Sequence, residues 1–178
     1  MKSTKRQQMK VHVIGSSSHG NCFVFSNKKT KLIVECGKRF IDVKKALNFN
    51  IHGICGAIVT HEHGDHAKYI SEYLNVGIHV LALSNIRDKQ KNKHGIIELQ
   101  PKKVYRVGEF KVFALEVHHD VPCVGYVIYH PEMGNVLFVT DTISFPYSLK
   151  GINHLFIEAN YADDILLDNI EQGKVPYS

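Results

Sequence analysis

No stretch of this 178-residue chain reaches the roughly 18 to 20 apolar residues that span a bilayer. Its opening, MKSTKRQQMKVHVIG, has no continuous apolar core of the kind that marks a secretion signal. The expectation is a cytoplasmic protein with no membrane partner. Cysteine is scarce: Cys22, Cys36, Cys55 and Cys123 make no CxxC pair, and three of them sit in apolar segments that read as buried strands, so reduced core thiols are expected. There is no internal repeat, no low-complexity tract and no linker rich in Pro, Gly or Ser. One domain over residues 1–178 follows. Hydrophobic residues at 44% and charged residues at 22% exclude disorder and collagen. A chain of this size buries about 70% of its unfolded surface and needs no staple to fold.

Two features stand out against this plain background. The chain has 12 histidines, several of them crowded together, and a net charge of +5 that is unevenly spread. Residues 84–106 hold Arg87, Lys89, Lys91, Lys93, Lys102, Lys103 and Arg106 against only Asp88 and Glu98, while the stretch 152–178 is acidic. The basic segment reads either as a solvated helix face or as an attractor for a polyanion.

Short β-like runs recur at Val11–Ile14, Cys22–Phe25, Leu32–Val34, Ile54–Thr60, His79–Leu83, Lys111–Val117, Cys123–Tyr129, Val136–Thr140 and Leu155–Glu158. Helical pieces are expected at Ile41–Asn48, Ala67–Leu74, near Asn85–Asn92 and at Ala162–Ile170, where Asp163 and Asp164 suit a helix N-terminus. The first strands are joined by polar turns such as Ser26-Asn27-Lys28-Lys29, which favours antiparallel pairing, and later strand–helix–strand stretches favour α/β layering. Two sheets with helices outside satisfy both.

The chemistry concentrates in Ala57-Ile58-Val59-Thr60-His61-Glu62-His63-Gly64-Asp65-His66, an apolar strand that ends in three imidazoles and two carboxylates within six residues. Such donors suit zinc, iron or manganese, and the absence of thiolates argues against a closed structural zinc site. In an extended segment residues two apart point the same way, so His61 and His63 can grip one metal. Asp65 and His66 follow where the chain turns into a helix and can reach a second, with Gly64 expected to permit the tight turn.

This pattern resembles the metallo-β-lactamase superfamily, whose His-x-His-x-Asp-His signature is matched at His61, His63, Asp65 and His66. The resemblance implies a third strand-borne histidine at His119, with His118 its competitor, and a metal-bridging Asp141 in Phe138-Val139-Thr140-Asp141-Thr142. Taken alone, Asp141 reads equally as a turn cap. Gly15-Ser-Ser-Ser-His-Gly-Asn-Cys22, Ile33-Val-Glu-Cys-Gly37, Gly125-Tyr126 and Ile157-Glu-Ala-Asn-Tyr161 are similar to the YycJ/WalJ-like, exonuclease-type branch. The implied fold is an αββα sandwich of two mixed sheets with helices outside.

The family's usual late histidine has no counterpart after Tyr161. The chain therefore reads as C-terminally short, lacking the usual C-terminal elements. Three outcomes follow for the second metal: weak binding, a gap filled by water or a partner chain, or little activity. Uncovered sheet surface makes a homodimer reasonable.

The resemblance implies a metal-dependent hydrolase with one or two Zn2+ ions (Mn2+ or Fe as alternatives) held by His61, His63, Asp65, His66, His119 and Asp141, and with Asp65 taking a proton from the attacking water. A phosphodiesterase or nuclease acting on nucleic acid or nucleotides uses all these parts, including the basic segment. The alternatives are a cyclic-nucleotide phosphodiesterase, a hydrolase of a lactone, thioester or β-lactam, and a catalytically weak relative that acts as a binding protein. The Gly15–Asn21 stretch reads as a plain turn, since it lacks the ending of a phosphate loop. His19 reads as solvated, and Glu35 and Glu158 as turn or surface acceptors at strand ends.

Overall fold

The computed structural model describes residues 9–158. The first sheet has the order β1-β2-β3-β4-β5-β6. Its meander β1 (Lys10–Gly15), β2 (Cys22–Ser26) and β3 (Lys31–Val34) is antiparallel, as the short polar turns require. From β3 onward β4 (Ile54–Ile58), β5 (Val80–Ala82) and β6 (Ile96–Glu98) run parallel, and each crossover carries helix: α1 (Phe40–Ala46), then α2 (Gly64–Ala67) and α3 (Ile70–Asn75), then α4 (Ser84–Lys89). Parallel neighbours need such crossovers, and the helices cover the sheet's outer face. The second sheet has the order β11-β10-β9-β8-β7. Here β7 (Val104–Val107), β8 (Phe110–Val117), β9 (Cys123–His130) and β10 (Gly134–Val139) form an antiparallel meander, and β11 (His154–Ile157) adds in parallel to β10.

Burial follows the sequence pattern. Every residue of β2 and β3 is buried, because these apolar runs have the helix layer on one side and the second sheet on the other. β8 instead alternates, with Phe110, Val112 and Ala114 turned into the shared core and Lys111, Phe113 and Leu115 on the opposite face. Phe23 of β2 meets Phe138 of β10 edge-on at 5.2 Å between centroids and Phe156 of β11 at 6.4 Å, so aromatic edges lock the sheets together. The outer face of the second sheet carries its own small cluster, in which Leu115, Leu137 and Val139 are covered by Phe145, Tyr147, Leu149 and Ile152 from the stretch after β10. Among the described residues no helix is long and apolar enough to cross a membrane.

The two-sheet sandwich is the expected architecture, with two differences in detail. β6 and β7 were absent from the expected strands, for they are short and lie in the polar, lysine-rich middle where no apolar run announces them. The expected helix Ala67–Leu74 is two pieces, because the Tyr69 N–H leaves the helical ladder to donate to the Cys36 carbonyl at 3.1 Å. The expected helix Ala162–Ile170 lies outside the described residues, as does most of the Ile157–Tyr161 landmark.

Candidate metal centre

β4 delivers the site. Ala57, Ile58 and Val59 are buried, the chain stays buried through Thr60 and His61, and His63 is the N-cap residue of α2 in extended conformation. The turn closes through His66 and Ala67 N–H groups that both donate to the His63 carbonyl. Gly64 is not what permits it: its φ is ordinary and a Cβ there would meet nothing within 4 Å, which corrects the expectation for this residue.

Two clusters result. The rings of His61, His63 and His119 stand mutually edge-on, with centroids 4.8 to 5.0 Å apart. His61, His66 and Asp141 form the second, and one donor atom from each residue of either cluster fits within 4.8 Å. His61 is thus common to both. Asp141 Oδ2 lies 2.7 Å from His66 Nε2 and 3.7 Å from His61 Nε2, a position between the clusters. Asp65 stands at the edge, with Oδ2 3.3 Å from His66 Nε2. His118 turns away, its Nδ1 pairing with Ser144 Oγ at 3.0 Å on the following loop. Strand alternation separates the neighbouring histidines in this way.

What stands behind each ring decides which nitrogen faces inward. His61 Nδ1 bonds Thr60 Oγ1 at 2.9 Å and leaves Nε2 for the cluster. His66 Nδ1 sits 3.5 Å from Glu35 Oε1, again leaving Nε2 inward. His63 Nε2 is 3.5 Å from Asp120 Oδ2, and its Nδ1 faces His119 Nε2 at 3.3 Å. Carboxylate or hydroxyl partners of this kind fix tautomer and ring direction at metal-binding histidines.

Glu35 and Asn21 were not among the expected site residues. Glu35 is fully buried, not a turn or surface acceptor, and its Oε2 accepts the Thr60 N–H at 3.3 Å. It has φ +70 and Asp141 has φ +47. Both carboxylates therefore sit on left-handed backbone just past a strand end, a strained conformation typical of functional positions. Asn21, 1% exposed, directs its amide at the second cluster. His19, as expected, is exposed.

The donor set fits a divalent cation. His61 Nε2 is buried without a hydrogen-bond partner among the described residues. Burial, then the neighbouring His66, His119 and His63, hold the His61 imidazole down to about 2, neutral and ready to donate a lone pair. Imidazole nitrogens and carboxylates converging in a buried site are costly to desolvate, and a cation is the group that offsets this. Burial pushes the Cys22 and Cys123 thiols up to about 12, so they remain protonated core groups and the donors are nitrogen and oxygen. A groove of about 460 Å³ opens beside His119, lined by Leu83, Pro101, Val121 and Pro122 along with His118 and Asp120.

No protein-family model matches the chain. It is 26% identical over 180 residues to the exodeoxyribonuclease YycJ of Bacillus anthracis, across 93% of this chain and 67% of that protein. To the exodeoxyribonuclease WalJ of Streptococcus pneumoniae it is 24% identical over 173 residues, across 88% of this chain and 64% of that protein. The metallo-β-lactamase fold protein YhfI from Bacillus subtilis superposes with a TM-score of 0.60 at 21% identity, over 76% of this chain and 65% of that one. The chain has the metallo-β-lactamase fold. Its sequence is similar to YycJ and WalJ, and it spans about two thirds of the length of these relatives. A peroxy diiron species of the chemotaxis sensor ODP superposes with a TM-score of 0.61 at 13% identity, over 94% of this chain and 72% of that one.

Proposed function

We propose that the chain is a metal-dependent phosphodiesterase that cleaves nucleic acid or nucleotide phosphodiesters. His61, His63 and His119 would hold one cation, and His66 and Asp65 would hold a second together with Asp141. The observation that carries this reading is the buried, unpartnered Nε2 of His61 at the vertex of both clusters. Cations held there lower the pKa of water toward 7 and stabilise negative charge on phosphate oxygens. The chain's own residues do the rest. Asp65, whose side chain is 27% exposed, is within reach of solvent and takes the proton of the attacking water at its carboxylate. The groove beside His119 receives the nucleoside against Leu83, Pro101, Val121 and Pro122. Lys102 and Lys103, next to Pro101, draw in the polyanion, whereas Lys89 and Lys93 are already engaged by Glu62 and Asp88 at 2.8 and 2.9 Å. The exodeoxyribonuclease names of YycJ and WalJ support phosphate over carbonyl substrates.

Zinc is the proposed cation. Iron or manganese suits the same nitrogen and oxygen donors, and the diiron relative supports iron as the alternative. A cytoplasmic location and a homodimer belong to the same proposal. Exposed Val11 and Val13 on β1, with Leu155 and Ile157 on β11, give these two edges, unpaired among the described residues, an apolar character that a second copy would cover.

The test is turnover of bis-p-nitrophenyl phosphate by the metal-loaded chain, followed by single-stranded DNA, RNA and cyclic nucleotides, with His63→Ala as the control. Cation-dependent cleavage of the linear polymers is expected. Cleavage confined to lactones or thioesters would move the reading to carbonyl hydrolysis, and cation binding without any turnover would leave a binding protein.

A further inference from the structure

Nothing in the proposed reaction uses the loop from Gly15 to Asn21, yet its last residue is 1% exposed with all its polar atoms engaged. The Asn21 backbone N–H donates to the Asp65 carbonyl at 2.7 Å, and its own carbonyl accepts the Gly37 N–H at 3.0 Å. Its Oδ1 accepts the Ser17 N–H at 3.1 Å. That bond decides the direction of the side-chain amide. The oxygen faces its own loop and Nδ2 faces the second cluster, 3.0 Å from His66 Nε2 and 3.4 Å from Asp65 Oδ2. Gly37 makes the approach feasible: a Cβ there would lie 1.6 Å from the Asp65 carbonyl oxygen and 2.7 Å from Asn21 N. Only glycine lets these three loops stack backbone against backbone.

An N–H donor cannot ligate a cation. Set against a carboxylate oxygen, it can hold that ligand in place. We infer that Asn21 is a positioning residue for the second cation, directing the Asp65 carboxylate and so deciding whether that position fills. This rests on the cation-dependent reading above. Whether His66 Nε2 carries its proton or a cation it has no lone pair for the amide, so the amide hydrogens are left for Asp65 Oδ2 and the carboxylate is held beside the site. Asn21 makes no hydrogen bond to His63 or His119 among the described residues, so the first cation is independent of it.

Calorimetric titration of the chelator-stripped chain with Zn2+ tests this, alongside thermal melts of the cation-free forms. Two variants are compared. Asn21→Ala removes the donor. Asn21→Asp keeps the shape and the acceptor for Ser17 N–H but turns a carboxylate oxygen toward His66 and Asp65. Wild type is expected to show two binding events. In Asn21→Ala the first event persists and the second weakens by about 10- to 100-fold. In Asn21→Asp the added carboxylate restores the second event, while repulsion of Asp65 lowers turnover. An unchanged second event in Asn21→Ala, equal weakening of both events in step with the melting temperature, or a wild-type chain that takes a single cation would overturn the inference. A wild-type chain that binds no cation would instead remove the reading on which it rests.

Discussion

Replacing Glu35 with glutamine isolates the buried pair beneath His66. In the cation-free chain burial disfavours charge on His66, but Glu35, then Asp65 and Asp141, outweigh it and raise the imidazole from 6.5 to about 9. A folded value above the unfolded one stabilises fully below 6.5, and that stability is lost as pH rises through 9. At about 1.4 kcal/mol per unit the loss is on the order of 3 kcal/mol. His61 works in reverse. Held down to about 2, it refuses a proton that the unfolded chain accepts, so stability also declines as pH falls below 6.5. The two limbs meet near the ordinary histidine value. Glu35→Gln is nearly isosteric, keeps an acceptor for Thr60 N–H and removes the largest influence that raises His66. The alkaline limb should shrink while the acid limb stays. Melting temperatures of the chelated proteins between about pH 6.5 and 9 give the readout, with a wild-type fall of roughly 6 to 12 °C and a clearly smaller one in the variant. Identical alkaline limbs in both proteins would refute the reasoning.

Further outcomes follow from the same geometry. Because His66 holds its proton up to about 9 and must release Nε2 to a cation, Zn2+ binding near neutral pH should expel about one proton. Calorimetry in buffers of different ionisation heat measures it, and a value of zero would contradict the ligand assignment. His63→Ala and Asp141→Ala are each expected to abolish metal-dependent turnover, and full activity in either would remove the site assignment. Tyr126 is fully buried and donates its hydroxyl to the Val59 carbonyl at 2.6 Å, one strand position before Thr60 and His61. Tyr126→Phe should cost about 1 to 2 kcal/mol in urea unfolding by leaving that carbonyl unpaired. Charge reversal at Lys102 and Lys103 should flatten the salt dependence of single-stranded DNA binding, and an unchanged slope would assign those lysines to a solvated surface.

The convergence of donors was legible because four of them are close in sequence and follow a strand. Alternation brings His61 and His63 to one side, and the turn into α2 brings His66 back. His119 and Asp141 were legible from resemblance and from their places at strand ends. Glu35 and Asn21 were not, since their burial is made by tertiary contacts. Glu35 lies beside Thr60 because β3 pairs in parallel with β4, a pairing that no local pattern announces. Asn21 reaches His66 only through the stacking of three loops that Gly37 allows. A buried carboxylate and a buried amide each look, in one dimension, like ordinary turn residues. The strands β6 and β7 escaped for a related reason: partners on one side hold them, and their own apolar signal is short.

The most direct measurement is crystallography of the chain soaked with Zn2+, with anomalous scattering recorded at the zinc, iron and manganese edges. The expected result is a peak about 2.0 to 2.1 Å from His61 Nε2, His63 Nδ1 and His119 Nε2, and a second peak beside His66 and Asp141. Histidines splayed apart, with no ion bound at saturating cation, would contradict it.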